Sequence, residues 1–460
     1  MRFVRWPNRS SGGSSWALRS VLSTVPLPGL VHGSLCDMLP SGPPQLACAA
    51  LLCTMFGVAA CPANPTPQAV DASMADAGVA DTKQPDGAVI VFTDVDLELL
   101  SDGASVSGGD VAVEEVVALP EPWRVAHTVD PGDEPIALVT LPSGDGGRDQ
   151  IAVVLVRSSQ ATGQVVRLQW NQASWETASA VDVGDSPVAI AAGDLDGDGQ
   201  DELVTANAGY QGAPGVSIIW GGDGVVTTLP AGFRPMDVAL IDADEDGHTD
   251  LAIADASANQ IVVLPHDGSR SFAPAAVQPV PGSPRSVAPM GSGVLLAAGA
   301  DAGGNAGWMM RLQSIVGGGG VWSPGESVAL PGVPSSVSAH PAWSSVAFGT
   351  FGGEAGLAVV TAEAVATSSA MTMAPIACSA ISADAGTPEH IVCASLTARS
   401  LTLQRRDALD QIVGMTSLSE DPPSAIAAGD FDGDAIADDV AVVCETSAKV
   451  VVMDRQGDWP

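Results

Sequence analysis

Carboxylates recur at alternate positions three times in this chain. The runs are Asp194-Leu-Asp196-Gly-Asp198-Gly-Gln200-Asp-Glu202, Asp242-Ala-Asp244-Glu-Asp246-Gly-His248-Thr-Asp250 and Asp430-Phe-Asp432-Gly-Asp434-Ala-Ile436-Ala-Asp438. Acidic groups at loop positions 1, 3, 5 and 9 are suited to wrapping a hard divalent cation in oxygen. Calcium takes roughly six to eight such ligands at about 2.3–2.6 Å and tolerates irregular geometry. A tightly curled loop turns positions 1, 3 and 5 toward one centre, and Gly197, Gly199 and Gly247 permit the curl. Position 7 is expected to offer its carbonyl oxygen, from Gln200, His248 and Ile436. Position 9 closes each site with Glu202, Asp250 and Asp438. An EF-hand would need Glu at position 12, where Thr205, Ile253 and Ala441 stand. The bland alternative is three polar turns without an ion, but so many clustered carboxylates repel one another unless a cation lies among them. The expected cofactor is therefore Ca2+, at about three sites.

These loops must be held by a repeating scaffold. Each is preceded seven residues earlier by a proline that opens a short apolar run: Pro187, Pro235 and Pro423. Pro135, Pro284, Pro334 and Pro375 open similar runs that lack the acidic loop, and the seven openings stand 41–52 residues apart. Within a unit the pattern is four short strands, clearest in Val188–Ala192, Leu203–Ala206, Val216–Trp220 and Val225–Leu229. Four antiparallel strands per unit of roughly 40–50 residues make a β-propeller blade. Blades stack around an axis because a single sheet cannot bury both of its faces alone. The expected fold is all-β, a seven-bladed propeller of four-stranded antiparallel blades. Six blades follow instead if the short 334–375 unit is misread. The last unit has room for three strands only, so Arg124–Val129 is expected to supply its fourth and close the ring.

Gly193-Asp194-Leu-Asp196-Gly-Asp198-Gly resembles the FG-GAP/VCBS repeat, the blade unit of integrin α-chain propellers and of many bacterial secreted proteins. The resemblance covers roughly residues 123–460 and is specific in the units opened by Pro187, Pro235 and Pro423. It implies a seven-bladed propeller with calcium loops in some blades. Integrin adhesion does not carry over, because the leg domains and transmembrane helix of an integrin are missing.

The amino-terminal 122 residues read differently. An apolar run ends in Val58-Ala59-Ala60-Cys61, which resembles a bacterial lipobox, in which the cysteine is acylated and becomes the first mature residue. The run is too short to span a bilayer and fits an export signal. Residues 1–61 are thus expected to be an export signal with lipidation at Cys61. The alternatives are a plain cleaved signal or an uncleaved segment. Residues 62–122 read as an acidic, low-complexity and disordered tether, and 123–460 as the propeller. The expected location is the cell envelope, at the outer membrane or surface through the lipid anchor, or else secreted or periplasmic.

The net charge of −35 disfavours nucleic acid as a partner. Cys378 and Cys393 stand on either side of a vestigial loop and are read either as a disulfide or as free buried thiols; Cys444 has no expected partner. No catalytic constellation, zinc cluster or phosphate loop is visible. Trp308, Trp322 and Trp343 are read as packing between blades, with an aromatic platform for a glycan or peptide as the alternative. The reading is a monomeric, non-enzymatic interaction module with an unknown protein or glycan ligand. The competing classes are a propeller lyase or hydrolase acting on polysaccharide, and a structural scaffold. Tyr210 is the only tyrosine, which weighs against an enzyme of that kind.

Overall fold

A computed structural model describes residues 119–459, apart from 145, 158–161, 231–233, 315–321, 331, 340–345, 352–356, 361–364, 369–374, 383–388, 406–407, 419–420, 445 and 458. The expected export signal, Cys61 and nearly all of the tether lie outside the described residues, as does Trp343. Of the tether only 119–122 are described. There the carbonyls of Pro120 and Pro122 accept from the amides of Met415 and Gln456, at 3.0 and 2.7 Å.

All the described regular structure is β. After β1 (Trp123–Val129) come β2 (Glu134–Leu141), β3 (Gln150–Val156), β4 (Thr162–Trp170) and β5 (Trp175–Asp185), which form one antiparallel sheet. The next sheet is β6 (Pro187–Gly193), β7 (Glu202–Asn207), β8 (Gly215–Ile219) and β9 (Val226–Pro230). It is followed by β10 (Pro235–Ile241), β11 (Asp250–Asp255), β12 (Gln260–Leu264) and β13 (Ala276–Pro279). Then come β14 (Ser283–Gly291), β15 (Val294–Ala300), β16 (Gly307–Ser314) and β17 (Trp322–Leu330). Beyond β18 (Val333–Ala339), β19 (Val346–Phe351), β20 (Leu357–Val360) and β21 (Val365–Ser368), a further sheet holds β22 (Pro375–Ile381), β23 (His390–Ser395), β24 (Ser400–Arg405) and β25 (Ala408–Ser417). The last holds β26 (Pro423–Gly429), β27 (Asp439–Cys444) and β28 (Lys449–Arg455), completed by β1 in the order β1-β28-β27-β26. The amino-terminal strand therefore closes the ring, with Val129 opposite Val450 and Trp123 opposite Arg455.

Among the described residues the ring contains six four-stranded blades, the second of the two counts expected, and not seven. The unit opened by Pro334 forms two separate two-stranded ladders, β18–β19 and β20–β21, in place of one four-stranded sheet. The unit is the shortest between successive opening prolines, and β20 and β21 are four residues each. The ring is still continuous there, because β18 packs against β14 on one side and β22 on the other.

Each unit opens in the same way. In all seven first strands the register slips by one residue immediately after the opening proline, at Pro135, Pro187, Pro235, Pro284, Pro334, Pro375 and Pro423. Proline has no amide to give the ladder, so it sits at the strand's start, and the bulge absorbs the mismatch. The core is a set of slabs between neighbouring blades. One holds Val204, Ala206 and Ile218 against Leu251 and Ile253; another holds Ile151, Val153 and Leu168 against Phe431, Ala441 and Val452. Every residue of β7, β11, β23 and β27 is buried, as expected for second strands covered on both faces. Trp308 and Trp322 belong to such a slab, and Trp308 Nε1 donates to the Ala300 carbonyl at 2.9 Å. Both are packing residues. Cys378 and Cys393 face each other across β22 and β23, with Cα atoms 4.1 Å apart and their sulfurs bonded. Cys444 is a buried free thiol, and burial pushes it up to about 12.

Candidate metal centres

The three acidic loops join the first and second strands of their blades: β6 to β7, β10 to β11, and β26 to β27. They share one curl. Positions 4 and 6 have left-handed backbone in every loop, at Gly197 and Gly199 (φ 77° and 84°), Glu245 and Gly247 (61° and 90°), and Gly433 and Ala435 (85° and 69°). Glu245 and Ala435 adopt a conformation that costs residues with a side chain roughly 1–2 kcal/mol. The Asp at position 5 is fixed identically, accepting the amide of position 7 at 2.8 Å from Gln200, His248 and Ile436.

The curl gathers carboxylates. Ligand atoms of Asp194, Asp196 and Glu202 lie within 4.8 Å of one another, as do those of Asp242, Asp244 and Asp246, and those of Asp430, Asp432 and Asp434. Asp198, Asp250 and Asp438 stand outside these groups. Gln200, His248 and Ile436, at position 7, are each fixed by the amide hydrogen bond to the position-5 Asp. The donors are all hard carboxylate oxygens, so the residues fit calcium or magnesium better than a soft metal. Asp244 Oδ1 is buried and accepts no hydrogen bond, which leaves it free to meet a cation. Burial raises the pKa values of Asp244 and Asp432, and neighbouring loop carboxylates raise them further. A bound cation would remove that penalty.

The closing residue also ties the loop to its blade. Glu202 accepts the Leu195 amide at 2.7 Å on one oxygen and the Gly221 amide at 2.9 Å on the other. Asp250 accepts Ala243 at 2.8 Å and His266 at 2.7 Å. In the third loop the same two bonds are made by Asp439, from Phe431 at 3.1 Å and Arg455 at 2.9 Å. The ladder agrees, since Gly193 pairs Glu202, Ile241 pairs Asp250 and Gly429 pairs Asp439. The third loop is one residue longer, and the expectation of Asp438 as its closing residue is corrected. Asp438 instead pairs with Arg455 Nη1 at 2.8 Å. The clue was in the sequence: the apolar run resumes at Leu203, Leu251 and Val440, and counting back from it identifies Asp439. Burial pushes Asp250 up to about 6 and Asp439 up to about 8.

Neighbouring blades clamp the loops. Asp149 accepts the Asp430 amide at 3.0 Å and donates its own amide to the Asp430 carbonyl at 2.7 Å. The Gly293 amide donates to the Asp242 carbonyl at 2.8 Å. Arg270, on the β12–β13 connection, reaches Asp196 Oδ2 at 2.7 Å. None of these partners was foreseen, because each lies in a different repeat unit.

The ring of sheets and the acidic inter-strand loops define a β-propeller of repeat blades. Residues 186–220 match the family model of the FG-GAP repeat, so the chain carries an FG-GAP repeat within its propeller. Among curated proteins there is no match. Similar solved structures include BBS1N in complex with ARL6DN, with a TM-score of 0.55 and 13% identity over 74% of this chain and 99% of that one. Another is Kuenenia stuttgartiensis hydrazine synthase, with a TM-score of 0.52 and 14% identity over 76% of this chain and 99% of that one. A third is a humanized mutant of the Chaetomium thermophilum Polycomb Repressive Complex 2, with a TM-score of 0.51 and 11% identity over 73% and 98%. At such identities the likeness is one of fold.

Proposed function

We propose that this protein is a calcium-binding propeller, exported to the cell envelope, that works as a non-enzymatic interaction module. The observation that carries the calcium reading is the threefold repetition of one loop geometry, each copy gathering three carboxylates within 4.8 Å. Crowded, partly buried carboxylates favour a divalent cation at each loop, and the ion would stiffen the turn between first and second strands. FG-GAP repeats occur in extracellular or envelope proteins, which supports export and a calcium-rich setting. The lipobox-like Val58-Ala59-Ala60-Cys61 supports a lipid anchor. Propellers present broad faces assembled from many loops, a form suited to binding a protein or glycan. Calcium titration of the full chain tests the metal. Capture from the native envelope with the full chain, in calcium and in chelator, tests the module: the reading expects a partner retained in calcium and lost in chelator. Retention of nothing in either condition contradicts it.

A further inference from the structure

Arg270 bonds a gathered carboxylate of the Asp194 loop, whereas the arginine of the Asp430 loop, Arg455, pairs with Asp438 outside its gathered set. Arg270 Nε lies 2.7 Å from Asp196 Oδ2 and its Nη1 lies 2.7 Å from Asp223 Oδ2, across separations of 74 and 47 residues. Its guanidinium stacks on Trp220, 4.7 Å from the ring centroid. The side chain is aimed from a rigid base. The His266 amide is bonded to Asp250, Ala273 donates to the Pro265 carbonyl at 2.7 Å, and His266 bridges Phe272. Arg270 itself has left-handed backbone, φ 59°, where a residue with a side chain is disfavoured. Glycine would relieve that conformation but could not reach Asp196. The position-3 carboxylates of the other loops differ: among the described residues neither Asp244 nor Asp432 makes an ion pair, and Asp244 Oδ1 has no partner. The gathered set differs as well, since this loop brings Glu202 rather than its position-5 Asp to the cluster.

We infer that Arg270 is a tethered cation that competes with calcium for Asp196, making the Asp194 loop the weakest of the three calcium sites. This rests on the calcium reading above. A guanidinium on one of the ligands cancels part of the negative charge that attracts the ion, and its repulsion must be overcome on binding. The protein would then fill the Asp242 and Asp430 loops first. The Asp194 loop would respond to calcium at higher concentration, when Arg270 yields Asp196.

The test is calorimetric titration of the full chain with calcium alone, for the native protein, Arg270→Gln and Arg270→Lys, with Asp194→Asn identifying the step of this loop. The expected result is a weak step lost in Asp194→Asn, tightened about tenfold or more in Arg270→Gln and kept weak by Arg270→Lys. Melting in chelator, compared with the native protein, verifies that each variant is folded. If Arg270→Gln folds poorly, the inference is read from Arg270→Lys and from whether the step lost in Asp194→Asn is the weakest. Three bound ions with this step already the tightest, or unmoved or weakened in Arg270→Gln, overturn the inference and leave the calcium reading intact. No bound calcium in any form overturns both.

Discussion

The Asp439 carboxylate accepts the Phe431 amide at 3.1 Å, as Glu202 does from Leu195 and Asp250 from Ala243. With its second bond, to Arg455 at 2.9 Å, it ties the loop to the end of β28. The carboxylate of Asp438, its neighbour, pairs with the Arg455 side chain. Above about pH 8, where Asp439 is ionised, Asp439→Asn should therefore cost more than Asp438→Asn. An amide can accept one of the two backbone bonds but leaves the other donor unmatched, a penalty of about 1–3 kcal/mol. Denaturant melts of both variants check this, and equal or reversed costs would return the closing role to Asp438.

Ala435 holds a left-handed backbone, φ 69°, at the place where the other two loops carry Gly199 and Gly247. Replacing it with glycine removes that strain, though it also loosens the unfolded chain. Ala435→Gly should thus gain about 0.5–1 kcal/mol of stability, against the usual loss on introducing glycine. A lower melting temperature would contradict the shared curl.

Asp244 makes the ligand argument separable from the folding argument. Its Oδ1 is buried without a partner, and its neighbours Asp246 and Asp242 disfavour its charge. In chelator Asp244→Asn should be as stable as the native protein or more so, because a repulsive charge is gone. In millimolar calcium it should be less stable than the native protein, because a ligand is gone. Melting curves in both conditions should cross over; a uniform loss in both would mean that Asp244 is only structural.

Asp237 links the inner strands of three units. Its Oδ2 accepts from Ser286 Oγ at 2.7 Å and from the Val287 amide at 3.0 Å, and Ser286 Oγ accepts from the Val337 amide at 3.0 Å. Burial pushes this acid from 3.8 up to about 6. A raised folded-state value means that the contribution is fully present below about pH 4 and is lost as pH rises through about 6. The loss is at most about 3 kcal/mol. Asp237→Asn should flatten the stability profile between those limits, measured as denaturation midpoints across pH. An unchanged profile would show that other groups carry the dependence.

Much of this architecture was legible in the chain because its signals are local. The seven prolines mark the seven first strands, each with its bulge, and Arg124–Val129 could be assigned to ring closure from the missing fourth strand. The acidic loops were legible because alternate Asp residues and glycines specify a curl within nine positions. What escaped was of two kinds. The unit from Pro334 keeps the opening proline but is the shortest between prolines, which left the count open between seven blades and six, and the spacing of prolines alone could not decide it. The clamps on the loops, Arg270 on Asp196 and Asp149 on Asp430, join different units, and repeat periodicity says nothing about contacts across them. The extra residue before Asp439 was hidden because Asp438 is acidic too.

The central claim is that the three acidic loops are calcium sites, and titrating the full chain with calcium while following its melting temperature tests it most directly. The account predicts three bound ions, a melting temperature that rises with calcium and falls in chelator, and the loss of one ion in Asp244→Asn and of another in Asp432→Asn. A full-length protein that binds no calcium and melts at one temperature in calcium and chelator alike would contradict it.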